Sequence, residues 1–533
     1  MNGTGRKARR GGLGVMIAIV WRTRRRSILV WVISLAAGMV ATAAAVAGMY
    51  DSPAKIHTYA AAVTSGSALA AINGHVEGID SLGGVIQDEF GFLASLLLPL
   101  LGIGLVVGST RREEESGRSE TALGGRIARY QPTLAALAVA TGAILATTVL
   151  FAGGLVAAGV QESGAILYAA ALGGLAFVFA GFAALMAQLV LHSRGVYLWS
   201  LIVLAVAYVL RGIGDVTKSR LTWLSPLGWA EKTAPFGVQR WWALAIPLVV
   251  GVVLGGVAVW LAAGRDLGSA LLRGGVGPAR ATWSRRPLGL AIWIHRPAAL
   301  GWLAGGVLLA AMMGSLANQL LEAMAGNPAL AESMGIQDGR PLDGVVAVTQ
   351  LYLAVLAGGY VIQAIGTLRA EEADGRLETR LAGTLSRIRW LTVHTAVVAA
   401  GLVLIVVVSS CVLAITTAWS VGDAHDVGAI ITAGLDYLPA ELVLAGLALF
   451  LFGSWPRRFG LAWAAYAVVT FIAFLGPGLK LSQWVLDIAP TTHVGNPPLG
   501  TIGAGSMSAL AVVAAALLFL GFIAFNRRDV PQA

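Results

Sequence analysis

Charge is scarce in this chain: 12% of its 533 residues are Asp, Glu, Lys or Arg, against 57% hydrophobic. Soluble domains run at about 25% charged and roughly 45–50% apolar. A water-facing shell around so large a core is therefore excluded, and the mean hydropathy of +0.78 places the chain among integral membrane proteins. Cysteine is almost missing. Cys411 stands alone, which excludes an intrachain disulfide and leaves no thiol pair for redox or metal chemistry. Lysine is nearly as rare: Lys7, Lys55, Lys218, Lys232 and Lys480 are the only five among 37 basic residues, so arginine carries the net charge of +10. Those arginines border apolar runs, which points to a membrane surface and away from nucleic acid. The seven histidines include no pair at metal-ligand spacing. No G-x-S-x-G elbow is present. A phosphate-binding loop is also lacking. The nearest stretch, Gly212 to Ser219, has Thr217 where a glycine must let backbone N–H groups wrap phosphate.

What is present is a repeat. Residues 111–129 read RREEESGRSETALGGRIAR, and 369–387 read RAEEADGRLETRLAGTLSR. Ten of the nineteen positions are identical, Glu113, Glu114, Gly117, Arg118, Glu120 and Leu123 falling on Glu371, Glu372, Gly375, Arg376, Glu378 and Leu381. Internal repeats of this kind describe the whole architecture. Residues 18–37 likewise resemble 290–309, with Arg25 and Trp31 over Arg296 and Trp302. The Arg-rich start, apolar run and small residues at 41–47 imitate a secretory signal, but a cleaved signal has no reason to recur in mid-chain. Leu224-Ser225-Pro226 is echoed by Ile488-Ala489-Pro490, and Arg265-Asp266-Leu267 by Arg528-Asp529-Val530.

A spanning helix needs about 20 mostly apolar residues. Such runs lie near 27–49, 88–109, 132–159, 165–191, 196–214 and 241–262, and again near 299–321, 345–368, 390–419, 428–453, 459–477 and 503–525. The expected fold is all-α and integral to the membrane, twelve helices as two six-helix repeats, a pseudo-dimer in one chain. Residues 1–262 form the first half, 263–286 a Gly-, Arg- and Pro-rich linker, and 287–533 the second half. Arginine is concentrated in the alternate loops after even-numbered spans and at both termini, so these belong in the cytoplasm. The stretches 13–26 and 287–298, with Trp21 and Trp293 beside arginine, read as interfacial helices ahead of the first span of each half.

A single charged loop reads as a solvated helix, with Glu114–Arg118 and Glu372–Arg376 as i,i+4 pairs worth about 0.2–0.5 kcal/mol each. Two copies in register, each after the second span of its half, ask for more. They suit docking helices, with charges for orientation, Leu123 and Leu381 as apolar contacts, and glycines for the turn. The block Arg-x-Glu-Glu-x-x-Gly-Arg-x-Glu, present twice after the second spans, resembles the permease of an ABC exporter. It is similar in particular to the actinobacterial two-component antibiotic exporters of the tetronasin and polyketide type, whose permease fuses both halves. Gly264–Gly268, Trp455–Arg458, Leu486–His493 and Arg527–Val530 extend the likeness over nearly the whole chain. The resemblance implies a type 2 ABC permease fold in a bacterial cell membrane. It also implies two copies of a cytoplasmic ATPase that receive 111–124 and 369–382 and bind the ATP and magnesium, and a hydrophobic or amphiphilic cargo. The second copy departs at Ala370 and Ala373, against Arg112 and Glu115, so the two docking helices are expected to differ in strength.

In that family spans two, five, eight and eleven face a central path. Here they carry Phe90, Phe92, Tyr197, Trp199, Tyr208, Tyr352, Tyr360, Trp463, Tyr466, Phe471 and Phe474. Aromatics suit amphiphiles, but on membrane helices they more often meet lipid or neighbouring helices, and fewer than half are expected to touch cargo. Glu441, inside the tenth span, is a functional candidate by default. Asp88 and Glu89 read as an interfacial carboxylate pair, and Arg211–Asp215 as a salt bridge. A lipid or glycolipid exporter is the rival reading within the class. A proton-coupled transporter would need several mid-membrane acids where only Glu441 stands out, and a membrane enzyme has no nucleophile or metal constellation.

Overall fold

The computed structural model describes residues 4–64, 73–123, 127–272, 286–326, 340–383, 385–423, 426–476, 481–500 and 503–529. Among them there is no strand. The chain forms two compact units, Met1–Gly277 and Pro278–Ala533. The first contains α1 (Thr4–Met49), α2 (Pro53–Thr64), α3 (Leu82–Ser109), α4 (Arg111–Glu115), α5 (Arg118–Leu123), α6 (Gln131–Ala157), α7 (Glu162–Leu189), α8 (Ser193–Val216), α9 (Pro226–Glu231) and α10 (Ala245–Gly264). The second contains α11 (Pro287–Ser315), α12 (Ala317–Gly326), α13 (Pro341–Ala373), α14 (Arg376–Leu381), α15 (Arg387–Val421), α16 (Val427–Leu435), α17 (Leu438–Ser454), α18 (Gly460–Leu475), α19 (Gln483–Leu486) and α20 (Ala504–Arg527).

Lipid offers the backbone no hydrogen bonds, so a span must satisfy its own. Eleven helices among the described residues are long and apolar enough to cross a bilayer. Nine of them coincide with expected spans to within about six residues, the tenth span being a pair, α16 and α17, broken at Asp436–Tyr437 ahead of Pro439, while the first begins well before the expected residue 27. The seventh is displaced: α11 starts at Pro287 and ends at Ser315, where 299–321 was expected, and Leu316 turns the chain into α12. The expected eleventh span is α18, apolar but only 16 residues long. The separate interfacial helices do not form. Residues 13–26 are continuous with the first span in the 46-residue α1, and 287–298 are the first turns of α11, Pro297 lying inside it. Nothing in 13–26 breaks a helix, and Pro287 at the first helical position favours a start there.

Packing follows one plan in both units. In the first, α1 lies against α6, α3 against α7, and α7 against α10; in the second, α11 lies against α15, α13 against α17, and α17 against α20. The central helices α3 and α7 share a core of Leu101, Val106, Ala176, Phe179 and Ala180. Small residues permit this closeness. A Cβ at Gly181 would stand 2.8 Å from the Gly251 carbonyl oxygen, and one at Gly453 would collide with the Gly521 carbonyl. The fifth helices turn apolar faces outward. α8 exposes Leu198, Trp199, Ile202, Val206 and Val209, and α18 exposes Leu461, Trp463, Val468 and Phe471.

Candidate functional site

The duplicated charged blocks form two helical elbows at the ends of α3 and α13. In the first, α3 breaks at Thr110, whose hydroxyl donates back to the Val106 carbonyl at 2.7 Å. One turn follows, Arg111–Glu115, and then Gly117 at φ +72° redirects the chain into Arg118–Leu123. In the second, α13 runs unbroken to Ala373, and Gly375 at φ +71° makes the same turn into Arg376–Leu381. Both glycines sit in the left-handed region, which costs other residues about 1–2 kcal/mol.

That turn overturns the expected i,i+4 pairs. Glycine ends the helix between their members, and each arginine reaches across the break to the previous glutamate. Arg118 Nε meets Glu113 at 2.6 Å, and Arg376 Nε meets Glu371 at 2.8 Å. Glu113 holds the Arg118 guanidinium above its ordinary pKa by hydrogen bond and charge. Glu114 and Glu372 are thereby free to face inward, toward partners far away in sequence. Glu114 meets Arg265 at 2.5 Å, just beyond α10. Glu372 meets Arg528 through two hydrogen bonds of 2.6 Å, just beyond α20. Arg528 also lies over the rings of Phe452 and Phe525.

A second anchor is also duplicated. Arg111, only 1% exposed, donates to the Ala187 carbonyl at the end of α7, and to the Ser269 carbonyl at 2.9 Å. Arg369 donates to the Pro456 carbonyl at 2.6 Å, just past α17. Each elbow thus grips the fourth and sixth long helices of its unit. Arg265 and Arg528 were visible as a repeated Arg-Asp marker. Their role was not, because partners more than 150 residues away leave no local pattern.

The elbows also differ. Arg24 of α1 bonds Glu113 at 2.9 Å and the Gly108 carbonyl. Glu115 accepts from the Ser193 N–H at 2.8 Å and its hydroxyl at 2.5 Å, capping the start of α8. Ala373 at the matching position of the second elbow has no carboxylate to do this. There Glu371 is instead held by both Arg376 and Arg380. Arg118, Glu120 and Arg376 are exposed. Leu377 is fully buried and Leu381 packs against the core of its own unit. The Leu123 side chain, with Gly125 and Arg126, falls outside the described residues. Beside the first elbow a small recess is lined by Thr110, Glu114, Ser119, Arg129, Pro132 and Arg265.

The aromatic candidates divide by exposure. Phe90 packs against Phe151, and Tyr360 is fully buried against Gly401, both inside their own units. Phe92 packs on Tyr208, over which Arg211 lies 4.7 Å from the ring centroid. Tyr197 leans toward the Gly104 carbonyl at 3.5 Å. Tyr352 meets Phe474 edge-on at 4.9 Å and Trp463 meets Tyr466 at 5.8 Å, while Trp199 and Phe471 lie on exposed faces. Glu441 is completely buried.

At the end opposite the elbows, Asp88 accepts from Tyr59 at 2.7 Å and from Asn73 at 3.3 Å, so α2 covers it. The expected Arg211–Asp215 contact is loose at 4.0 Å, and Glu231 of α9 is the closer partner at 2.9 Å. Burial pushes the Glu231 carboxyl up to about 8, against the opposing pull of Arg211. Around Gly212–Ser219 the backbone N–H groups are spent on helix and cap bonds, Thr217 to Ile213 and Ser219 to Gly214, so no phosphate cradle forms. No cluster of metal-ligating side chains occurs among the described residues.

Residues 285–526 match the family described as the C-terminal domain of the multidrug efflux system permease Rv1217c. Over 531 residues the chain is 32% identical to the multidrug efflux system permease protein Rv1217c of Mycobacterium tuberculosis, covering 98% of this chain and 95% of that one. With its apolar helices and duplicated elbows, this multi-pass membrane protein belongs to the Rv1217c family of multidrug efflux system permeases.

Proposed function

We propose that the chain is the transmembrane subunit of an ATP-driven ABC-type exporter in a bacterial cell membrane, and that it moves hydrophobic or amphiphilic drugs outward. Two copies of a cytoplasmic ATPase bind ATP and magnesium and grip the chain at its two elbows. The relative's name supplies the drug-efflux class. The observation that carries the coupling is the repeated double anchor: Arg111 and Glu114 in one unit, Arg369 and Glu372 in the other. A push on either elbow reaches the second, fourth and sixth spans of that half together. Packed helices with two discrete arrangements pass such a displacement on as a whole-body shift.

Twelve spans fit this reading better than eleven. The second elbow bonds both Pro456, at the start of the α18 segment, and Arg528, at the end of α20. The chain between them leaves the elbow end and comes back to it. If α20 is the return, α18 is the outward crossing, although its 16 residues span only about 24 Å at 1.5 Å per residue. Both termini then lie on the cytoplasmic side.

Co-purification with the partner ATPase, before and after replacing Gly117, Arg118, Gly375 and Arg376, tests the docking. Binding and ATP-dependent dye efflux should both fall in these variants. Unchanged binding with unchanged efflux would remove the elbows from the mechanism.

A further inference from the structure

A carboxyl group lies sealed inside the second unit with nothing bonded to it. Glu441 is fully buried, and neither of its oxygens has a hydrogen-bond partner. Two further helices close over it. From α13 comes Gly358, where an added Cβ would stand 2.7 Å from Glu441 Oε2 and 3.2 Å from the Tyr466 ring. From α18 comes Tyr466 itself, whose hydroxyl donates to the Val355 carbonyl at 2.8 Å. Trp463, one turn earlier on α18, meets Tyr466 edge-on. Leu444 lines the same point from α17. One turn before Glu441, Tyr437 is also buried with an unpartnered hydroxyl.

A carboxylate that is charged in hydrocarbon needs a counter-charge, and none of the described basic residues forms an ion pair with this one. Its cover, α18, is shorter than any of the eleven candidate spanning helices. It is tied to α13 by the Tyr466 hydroxyl and by the Tyr352–Phe474 contact, with its other face exposed. When α18 lifts from α13, what opens is a carboxylate beside the Tyr466 ring, with Trp463 packed edge-on against that ring one turn away, in an apolar wall. That combination recognises ammonium and phosphonium groups carrying apolar substituents.

We propose that Glu441, with Tyr466 and Trp463, is a binding site for lipophilic organic cations, opened by displacement of α18. The proposal rests on the efflux reading and names the class of amphiphile that reading leaves open. The carboxylate takes the charge and the two rings take the substituents. Gly358 keeps room for the acid between α13 and α18.

The test uses the chain with its ATPase in lipid vesicles, with tetraphenylphosphonium as cationic probe and Nile red as neutral probe. Saturable binding of tetraphenylphosphonium is measured beside ATP-driven flux, for wild type, E441Q and E441D. E441Q should weaken cation binding and flux by about tenfold or more, as expected for loss of a desolvated charge pair. Its Nile red flux should be unchanged, and E441D should retain most of the cation flux. Wild-type cation binding in E441Q, or equal loss of both probes, overturns the proposal. Glutamate-dependent cation binding without ATP-driven movement of either probe would overturn the efflux reading and leave the site standing.

Discussion

Glu372 and Arg528, 156 residues apart, meet at the second elbow through two hydrogen bonds of 2.6 Å. Glu114 and Arg265 make the matching contact at the first. Both pairs are largely withdrawn from solvent, and each ties a charged turn to the last long helix of its unit.

Removing one partner leaves the other as a buried, unpaired charge, which typically costs about 3–5 kcal/mol. Glu372→Ala should therefore lower the thermal midpoint of the purified chain. Replacing both Glu372 and Arg528 by leucine should restore most of that stability, since apolar substitutes for a buried pair are often neutral. ATP-coupled efflux should not return with the stability. Recovery of both would make the pair a packing element with no part in coupling.

Gly117 offers a cleaner separation of folding from docking. A Cβ there meets nothing within 4 Å, so only its φ of +72° opposes substitution. Gly117→Ala should cost about 1–2 kcal/mol, and Gly117→Asn should cost less because asparagine tolerates this region. Circular dichroism should show an intact helical chain in both, while stimulation of the partner ATPase falls in the order Gly, Asn, Ala.

Much of this was legible in the sequence, for definite reasons. Apolar runs are long-range signals, so most spans fell where hydropathy put them. The duplicated block marked both elbows, and the repeated Arg-Asp motif marked their partners without revealing the contact. Local spacing misled where backbone geometry intervened. Glu114 and Arg118 are four apart, yet Gly117 turns them away from one another. Facing was not legible at all. Phe90 and Trp199 are equally aromatic, but one is packed inside and the other exposed, because a moderately apolar helix hides which side meets its neighbours. The missing break in α1 has the same origin: arginine and tryptophan are compatible with an interfacial helix and with a continuous one.

The Glu115–Ser193 cap predicts an asymmetry between halves. Loss of a side-chain cap costs about 0.5–2 kcal/mol. Glu115→Ala should speed hydrogen exchange at the first amides of α8, with no change at the start of α18, whose elbow carries Ala373. Installing Ala373→Glu should leave the α8 amides unaltered. Faster exchange at both helices from one substitution would deny the local link.

Glu231 predicts a pH dependence with a defined sign. Its folded pKa, raised to about 8 by burial, lies above the ordinary glutamate value near 4.3. Between these two values the folded chain holds a proton that the unfolded chain has lost. Its contribution to stability is therefore greatest at acid pH, declines as pH rises through that window, and levels off above about 8. Unfolding midpoints measured from pH 5 to pH 9 should fall accordingly, and Glu231→Gln should flatten the part of the slope due to this group.

The proposed grip of a separate ATPase on both elbows is open to direct test by cross-linking. With Cys411 as the only native thiol, a Cys411→Ser background allows single cysteines to be placed at Arg118, at Arg376 and, as control, at Lys218 beyond the far end of α8. Each is exposed to a short thiol-to-amine cross-linker in membranes containing the partner ATPase. Cross-links at both elbow positions that change on adding ATP, and none at Lys218, are the result expected. Cross-linking at Lys218 alone, or ATP-independent efflux by the purified chain on an ion gradient, would contradict the account.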